Sequence, residues 1–392
     1  MTKLEKLIEQ LCSDGVEFKK LKECTEMQRG TSATKNTLIP GNIPVISGGR
    51  EPAFYCNTSN RDGETITIAG SGAGAGYVQY WDTPIFVNDA FSVKGRDSVS
   101  TKYIYYVMTS LQESIYATKK GGGVPHVNIS NIENFLVPVP PVEVQQEIVR
   151  ILDQFTQLAA ELTAELTARK QQFEYYRDKI LIFEEDVPTV ALGDIAVVTK
   201  LAGFEFTKYV RYSDSGRIIA LRGLNVKNGK LDLSDVKYID NSDFAKLTRS
   251  KLHIGDMLFT YVGTVGQVAL VDEEDKYYLA PNVALIRSID DRLNPQFMRY
   301  YFQSSDFWKA QINKLLQSSS MKNIPMEKIR KFEIPIPPLS EQRRIVAILD
   351  RFDALCNDLT SGLPAEIAAR QKQYEYYRDK LLTFPERKEA DA

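Results

Sequence analysis

Histidine is almost missing from this chain. Of 392 residues only His126 and His253 are histidine, and only Cys12, Cys24, Cys56 and Cys356 are cysteine. The cysteines are scattered and no two form a CxxC pair. That spacing argues against a zinc site and a disulfide framework, and it fits a reducing cytoplasm. Long apolar runs are also missing, and none approaches the ~20 residues needed to cross a bilayer. The opening "MTKLEKLIEQL" is charged and amphipathic, unlike a secretory leader. Charge of one sign is missing too: 49 Lys and Arg stand against 51 Asp and Glu, for a net charge of -2. No global basic surplus announces a nucleic-acid partner.

Catalytic signatures are equally scarce. "AGSGAGAG" (69–76) follows a strand-like run, but it does not spell GxGxxG. "YVQYW" after it reads as a second strand, so no helix N-terminus waits for a phosphate. "NPQF" (294–297) resembles the (N/D)PP(Y/F) signature of adenine methyltransferases. Its third position differs, and Asn294 as N-cap with Pro295 behind it explains the stretch. There is no GxxxxGK[ST], and neither histidine has a Ser or Cys partner by spacing.

What the chain does have is a repeat. "EYYRDK" occurs at Glu174–Lys179 and again at Glu375–Lys380. "FLVPVPPVEVQQEIVRILDQF" (135–155) matches "FEIPIPPLSEQRRIVAILDRF" (332–352) at a constant offset of 197. "ARKQQFEYYRDKILIF" (168–183) matches "ARQKQYEYYRDKLLTF" (369–384) at 201, so the second copy gained four residues within "TSGLPAE". Both segments read as long helices opening after Pro-Pro. In the first, Ile148, Leu152, Phe155, Ala159, Leu162, Leu166, Arg169, Phe173, Tyr176 and Ile180 alternate spacings of four and three, a coiled-coil seam. In the second, Gly362 and Pro364 predict a stutter or a break.

The stretches between the helices are weakly alike as well. "GETITIAGSGAGAGYVQYW" (63–81) parallels "GDMLFTYVGTVGQVALV" (255–271), and "VNDAF" (87–91) parallels "PNVAL" (281–285). "KYIYY" (102–106) parallels "QFMRYY" (296–301), each opening a short helix. The chain is thus one α+β unit written twice, with shared apolar skeleton and divergent loops. Residues 1–141 balance in charge and 187–338 carry +4, whereas 142–186 carry -5 and 339–392 carry -1. Phosphate binding needs local rather than global positive charge.

These marks together resemble the specificity subunit of type I restriction-modification enzymes: the twin "PxPPxxxxQxxIVxILDxF" and "EYYRDK" stretches, the alternation of variable block and helix, and the tetrapeptide repeat in "AELTAELTAR" (160–169). The resemblance implies an N-terminal helix (1–15), a first target-recognition domain (16–141), a central helical spacer (142–186), a second recognition domain (187–338) and a C-terminal spacer (339–392). The two spacers are expected to pair as an antiparallel coiled coil about an internal pseudo-two-fold repeat. The resemblance further implies a non-catalytic subunit. Each recognition domain would read half of a bipartite double-stranded DNA target, and the helices would set the unread gap. Two methyltransferase subunits would dock on the helices and carry restriction and translocation subunits. The chain itself is expected to bind no cofactor and no metal. S-adenosylmethionine, ATP and Mg2+ would belong to its partners. A coiled-coil adaptor that holds partner proteins without touching DNA is the alternative.

Loop position in the two repeats selects the expected DNA contacts. In the first block these are Arg29, Arg50, Lys119, Lys120, His126 and Asn128. In the second they are Arg222, Tyr261, Lys314, Gln317, Lys322 and Asn323. The closely repeated faces of "QQEIVRILDQF" and "EQRRIVAILDRF" select Gln145, Ile148, Arg150, Gln342, Arg344 and Ile345 as expected subunit contacts.

Overall fold

The computed structural model describes residues 2–121, 123–201, 206, 208–316, 323–358 and 360–387. The chain divides into two compact units. One comprises Met1–Thr163 with Glu366–Ala392, the other Ala164–Ala365.

In the first unit the alternating apolar runs form a four-stranded antiparallel sheet: β1 (Thr25–Arg29), β2 (Thr65–Ala69), β3 (Val78–Trp81) and β4 (Ala90–Gly95), in the order β1-β4-β2-β3. Behind it lies helix α1 (Thr101–Ser110), whose N-cap Ser100 accepts from Tyr103 N. A strand pair, Glu17–Lys20 with Leu136–Val139, leads into α2 (Val142–Ile180), a helix of 39 residues.

The second unit repeats this plan. Strands β5 (Ala196–Lys200), β6 (Met257–Thr260), β7 (Val268–Leu270) and β8 (Val283–Ser288) pair in the order β5-β8-β6-β7, the same topology. Helix α3 (Pro295–Gln303) takes the place of α1. Strands Thr189–Ala191 and Glu333–Pro335 pair and lead into α4 (Leu339–Asn357). The expected break is present: α4 ends at Asn357, and α5 (Leu363–Leu381) begins with Gly362 and Pro364 at the junction. The weak sequence likeness between the blocks therefore reflects a shared fold.

The two cores sit at matching places. Ile66, Ile68, Phe91, Val93, Tyr103, Ile148 and Leu152 are buried together in the first unit. Phe259, Phe302, Phe307, Phe332, Ile345 and Leu349 are buried together in the second, with Phe302 and Phe307 ring centroids 4.4 Å apart. The first positions of the helical seam thus pack on their own sheet-and-helix block. Farther along α2, Leu162, Leu166, Arg169 and Phe173 are half-buried, and most residues between them are exposed.

The N-terminal helix, Lys3–Leu11, opens on a capping box between Thr2 and Glu5. It belongs to the first core through Leu4, alongside Leu382 and Phe384 after α5. Val16 N donates to Pro385 O at 2.9 Å, so the chain start pairs with the segment after the last helix. Lys3 reaches Glu147 at 2.9 Å, and Arg150 reaches it at 2.7 Å. Chiefly the Arg150 hydrogen bond, then Lys3, hold this inward carboxyl at about 2 against an ordinary 4.5, with burial opposing them. A carboxyl depressed in the folded state stabilises it at pH above the unfolded value and loses that contribution as pH falls toward the folded value. Glu147 should therefore stop supporting the fold between pH 4.5 and about 2. Glu147→Gln should lower the denaturant midpoint at neutral pH and flatten its fall across that window. An unchanged acid limb in the variant would refute the assignment.

Candidate nucleic-acid interface

Each sheet carries a hollow at the same end. In the first unit a cavity of about 280 Å³ is lined by Arg29, Gly70, Asn88, Asp89, His126 and Asn128, among others. Arg29 ends β1, and the Asn88–Asp89 turn precedes β4. Asn88 fixes the rim by accepting from Ala33 N at 2.9 Å and donating to Ala33 O at 3.0 Å. Behind Arg29, the buried Arg61 guanidinium donates to Arg29 O at 2.9 Å, Asn60 O at 2.6 Å and Ser92 Oγ at 2.8 Å. His126 and Lys120 exchange two backbone hydrogen bonds, which close the glycine-rich loop between them. Gly121 there has φ +116, a backbone that favours glycine.

In the second unit the cavity is larger, about 750 Å³, with Tyr212, Arg222, Lys227, Thr264, Gln267 and Asn282 in its lining. Asn282 is the counterpart of Asn88 in the paired "PNVAL" and "VNDAF" stretches. Arg222 is held by Asp235 at 2.9 Å, and its Nε is buried without a hydrogen-bond partner. Lys227 lies beside the Asn228–Gly229 turn of a small hairpin, whose residues both take positive φ. The lining mixes apolar with polar side chains, its charged members Arg222 and Lys227 are both basic, and among the described residues no cluster could hold a metal ion.

The hollows gather some of the expected DNA contacts and leave others out. Arg29, His126 and Asn128 meet in the first, and Arg222 lines the second. Arg50, exposed, lies over the Tyr77 ring at 4.8 Å, and Lys119 over Tyr116 at 4.0 Å. Lys120 is exposed beside His126, and Lys314 is exposed on a short helix, Asn313–Leu316. Asn323 is exposed and pairs in a bridge with Val262. Gln317 and Lys322 lie outside the described residues. Tyr261 is a correction: it is 8% exposed and packed in the core, so its ring is not presented to a groove. Tyr212, Lys227, Gln267 and Asn282 escaped the sequence reading. The Asn-Gly dipeptide at 228–229 was a signal for the hairpin that carries Lys227 alone.

A second correction concerns the helices. Gln145, Ile148, Gln342 and Ile345 are all buried within their own units, at 1% exposure or less, and cannot be outward contacts. The glutamines point inward because they close backbone hydrogen bonds. Gln145 Oε1 accepts from Ser100 N at 2.9 Å, and its Nε2 donates to Pro140 O at 2.8 Å. Gln342 repeats this with Asn294 N at 2.8 Å and Pro337 O at 2.8 Å. Arg150 and Arg344 do face solvent, each paired one turn back with Glu147 or Glu341 at 2.7 Å. The repeated hexapeptides present a further outward pair: Tyr175 is 60% exposed and Tyr376 61%.

Comparison with known proteins decides the family. A family model described as the type I restriction modification DNA specificity domain matches residues 13–169 and 184–369. The chain belongs to the type I restriction-modification specificity subunits. A putative type I restriction enzyme specificity subunit of Haemophilus influenzae is 30% identical, with 98% of each chain covered. The EcoR124I/EcoR124II specificity subunit of Escherichia coli is 33% identical over 72% of this chain and 71% of its own. Two solved structures share the fold. The specificity subunit from M. genitalium has a TM-score of 0.58 at 14% identity, covering 94% of this chain and 96% of that one. A chain solved in work on assembly and conformational transition of the type I system has a TM-score of 0.59 at 17% identity, covering 94% and 97%. No helix among the described residues is long and apolar enough to cross a membrane.

Proposed function

We propose that this specificity subunit binds double-stranded DNA through both hollows, each reading one half of a bipartite target. The observation that carries the reading is the repetition: one sheet topology, two hollows at equivalent strand ends, and different side chains in each. One scaffold with two linings suits two different half-sites. Residues lining the hollows (Arg29, His126, Asn128, Arg222) would face bases. Arg50, Lys119, Lys120, Lys314 and Asn323, outside them, would position the phosphate backbone, with Gln317 and Lys322 as further candidates. The long helices would act as an antiparallel coiled-coil spacer. Ring contacts of Phe352 with Phe173 and Tyr176 support pairing of the two helical segments. Two methyltransferase subunits would dock on the outward side chains of the helical segments, Arg150 and Arg344 among them. The chain would contribute no catalytic group. Its partners would use S-adenosylmethionine for methylation, and ATP with Mg2+ for translocation and cleavage in the cytoplasm.

A gel-shift series with the methyltransferase partner present, at several salt concentrations, tests this. Affinity should fall linearly in a log-log plot against salt. Arg222→Ala should cost ~1–3 kcal/mol and relax discrimination at one base, whereas Lys120→Ala should weaken all sequences alike and lower the salt slope by about 1. No DNA binding by the complex at any salt concentration would favour a protein adaptor without DNA affinity.

A further inference from the structure

Each block is fastened to its long helix at two polar points, and the two fastenings match. In the first unit, Gln145 of α2 accepts from Ser100 N, the N-cap of α1, and Tyr106, midway along α1, donates to Asp153 Oδ1 at 2.6 Å. In the second, Gln342 of α4 accepts from Asn294 N, the N-cap of α3, and Tyr300 donates to Asp350 Oδ1 at 2.7 Å. The glutamine amide also donates to the loop before the short helix, to Ser98 O at 3.2 Å or Arg292 O at 2.8 Å. In both units the helix anchors are eight residues apart, about 12 Å of helix at ~1.5 Å per residue. The anchors on the short helix are six residues apart in both.

Apolar packing alone would hold the two helices together without fixing their angle, since burial is non-directional. Directed hydrogen bonds at two separated points remove the remaining rotation. Stability does not demand them, because a matched pair of apolar groups can replace a buried hydrogen-bonded pair at little cost. The glutamine fills both donors and its acceptor, as an orienting group must if it is to be buried.

We infer that Gln145 with the Tyr106–Asp153 pair, and Gln342 with the Tyr300–Asp350 pair, are positioning residues that set the angle between each recognition block and its helix. They thereby set the length of the unread gap between half-sites. This inference rests on the bipartite reading proposed above.

The test uses the full chain in complex with its methyltransferase partner, and methylated sites are sequenced. Tyr300→Phe removes one oxygen, and Asp350→Ala removes its acceptor. Both should keep the two half-sites and admit gaps one base pair longer or shorter. Preference for the native gap should fall about tenfold, the ratio equivalent to one buried hydrogen bond. Asp350→Asn, whose amide oxygen still accepts from the Tyr300 hydroxyl, should retain the native gap. A native gap at native preference in Tyr300→Phe and Asp350→Ala overturns the inference. So does an even loss of methylation at every gap with a lowered melting point, the mark of a merely structural bond. If the unaltered complex methylates no two-part site, the bipartite reading itself fails, whatever the variants do.

Discussion

Inserting one more TAEL after Leu166 should yield a complex that methylates the same two half-sites across a longer unread gap. Four residues add about 6 Å of helix and rotate the downstream turns by ~40°, because four exceed one 3.6-residue turn. The site of insertion lies inside the uninterrupted α2, where Leu162 and Leu166 are half-buried and their immediate neighbours exposed. No residue lining either hollow belongs to α2. A stutter of this kind is absorbed by local unwinding in coiled coils. Sequencing the methylated sites decides the matter. An altered half-site, or an active variant with the original gap, would contradict a helical ruler.

Ile345→Ala should be the most destabilising of the single substitutions in the helices, by ~2–5 kcal/mol, as expected for a buried isoleucine that leaves a cavity. Ile345 has no exposed surface and packs among the aromatic residues of the second core. Ile148→Ala should behave alike in the first core, where Ile148 is equally buried. Arg344→Ala removes a solvent-facing ion pair and should leave the denaturant midpoint near its original value. Partner binding should show the opposite ranking: weakened by the arginine variant, and unchanged for whatever fraction of the isoleucine variants is folded. Urea titration alongside a partner-binding isotherm separates the two effects. Equal midpoints for Ile345→Ala and Arg344→Ala would refute the inward placement of Ile345.

The repeat carried most of the architecture. Its constant offsets revealed two copies of one unit, its heptad positions revealed the buried side of each helix, and Gly362 with Pro364 marked the break between α4 and α5. What periodicity could not show is the surface that a buried stripe meets. Ile148 and Leu152 obey the seam spacing, yet they fill the core of a recognition block. Gln145 and Gln342 looked outward because glutamine usually is. Their hydrogen bonds to Ser100, Pro140, Asn294 and Pro337 turn them inward, and those partners lie at sequence separations of up to 48 residues. The hollows are non-local in the same way. Arg29 and His126 are 97 residues apart, and the turn at Asn88 brings them to one rim. Tyr261 sits between Thr260 and Val262, which line the second hollow, while its own ring packs in the core, an alternation along the backbone that glycine-rich flanks concealed.

Two recognition blocks on one helical spacer should read two separated half-sites. Sequencing the methylome of cells that carry this subunit with its methyltransferase partner tests that claim most directly. The expected result is adenine methylation at a two-part motif with a fixed unread gap, lost when the subunit is deleted. Methylation at a single uninterrupted motif, or a pattern indifferent to the deletion, would contradict it.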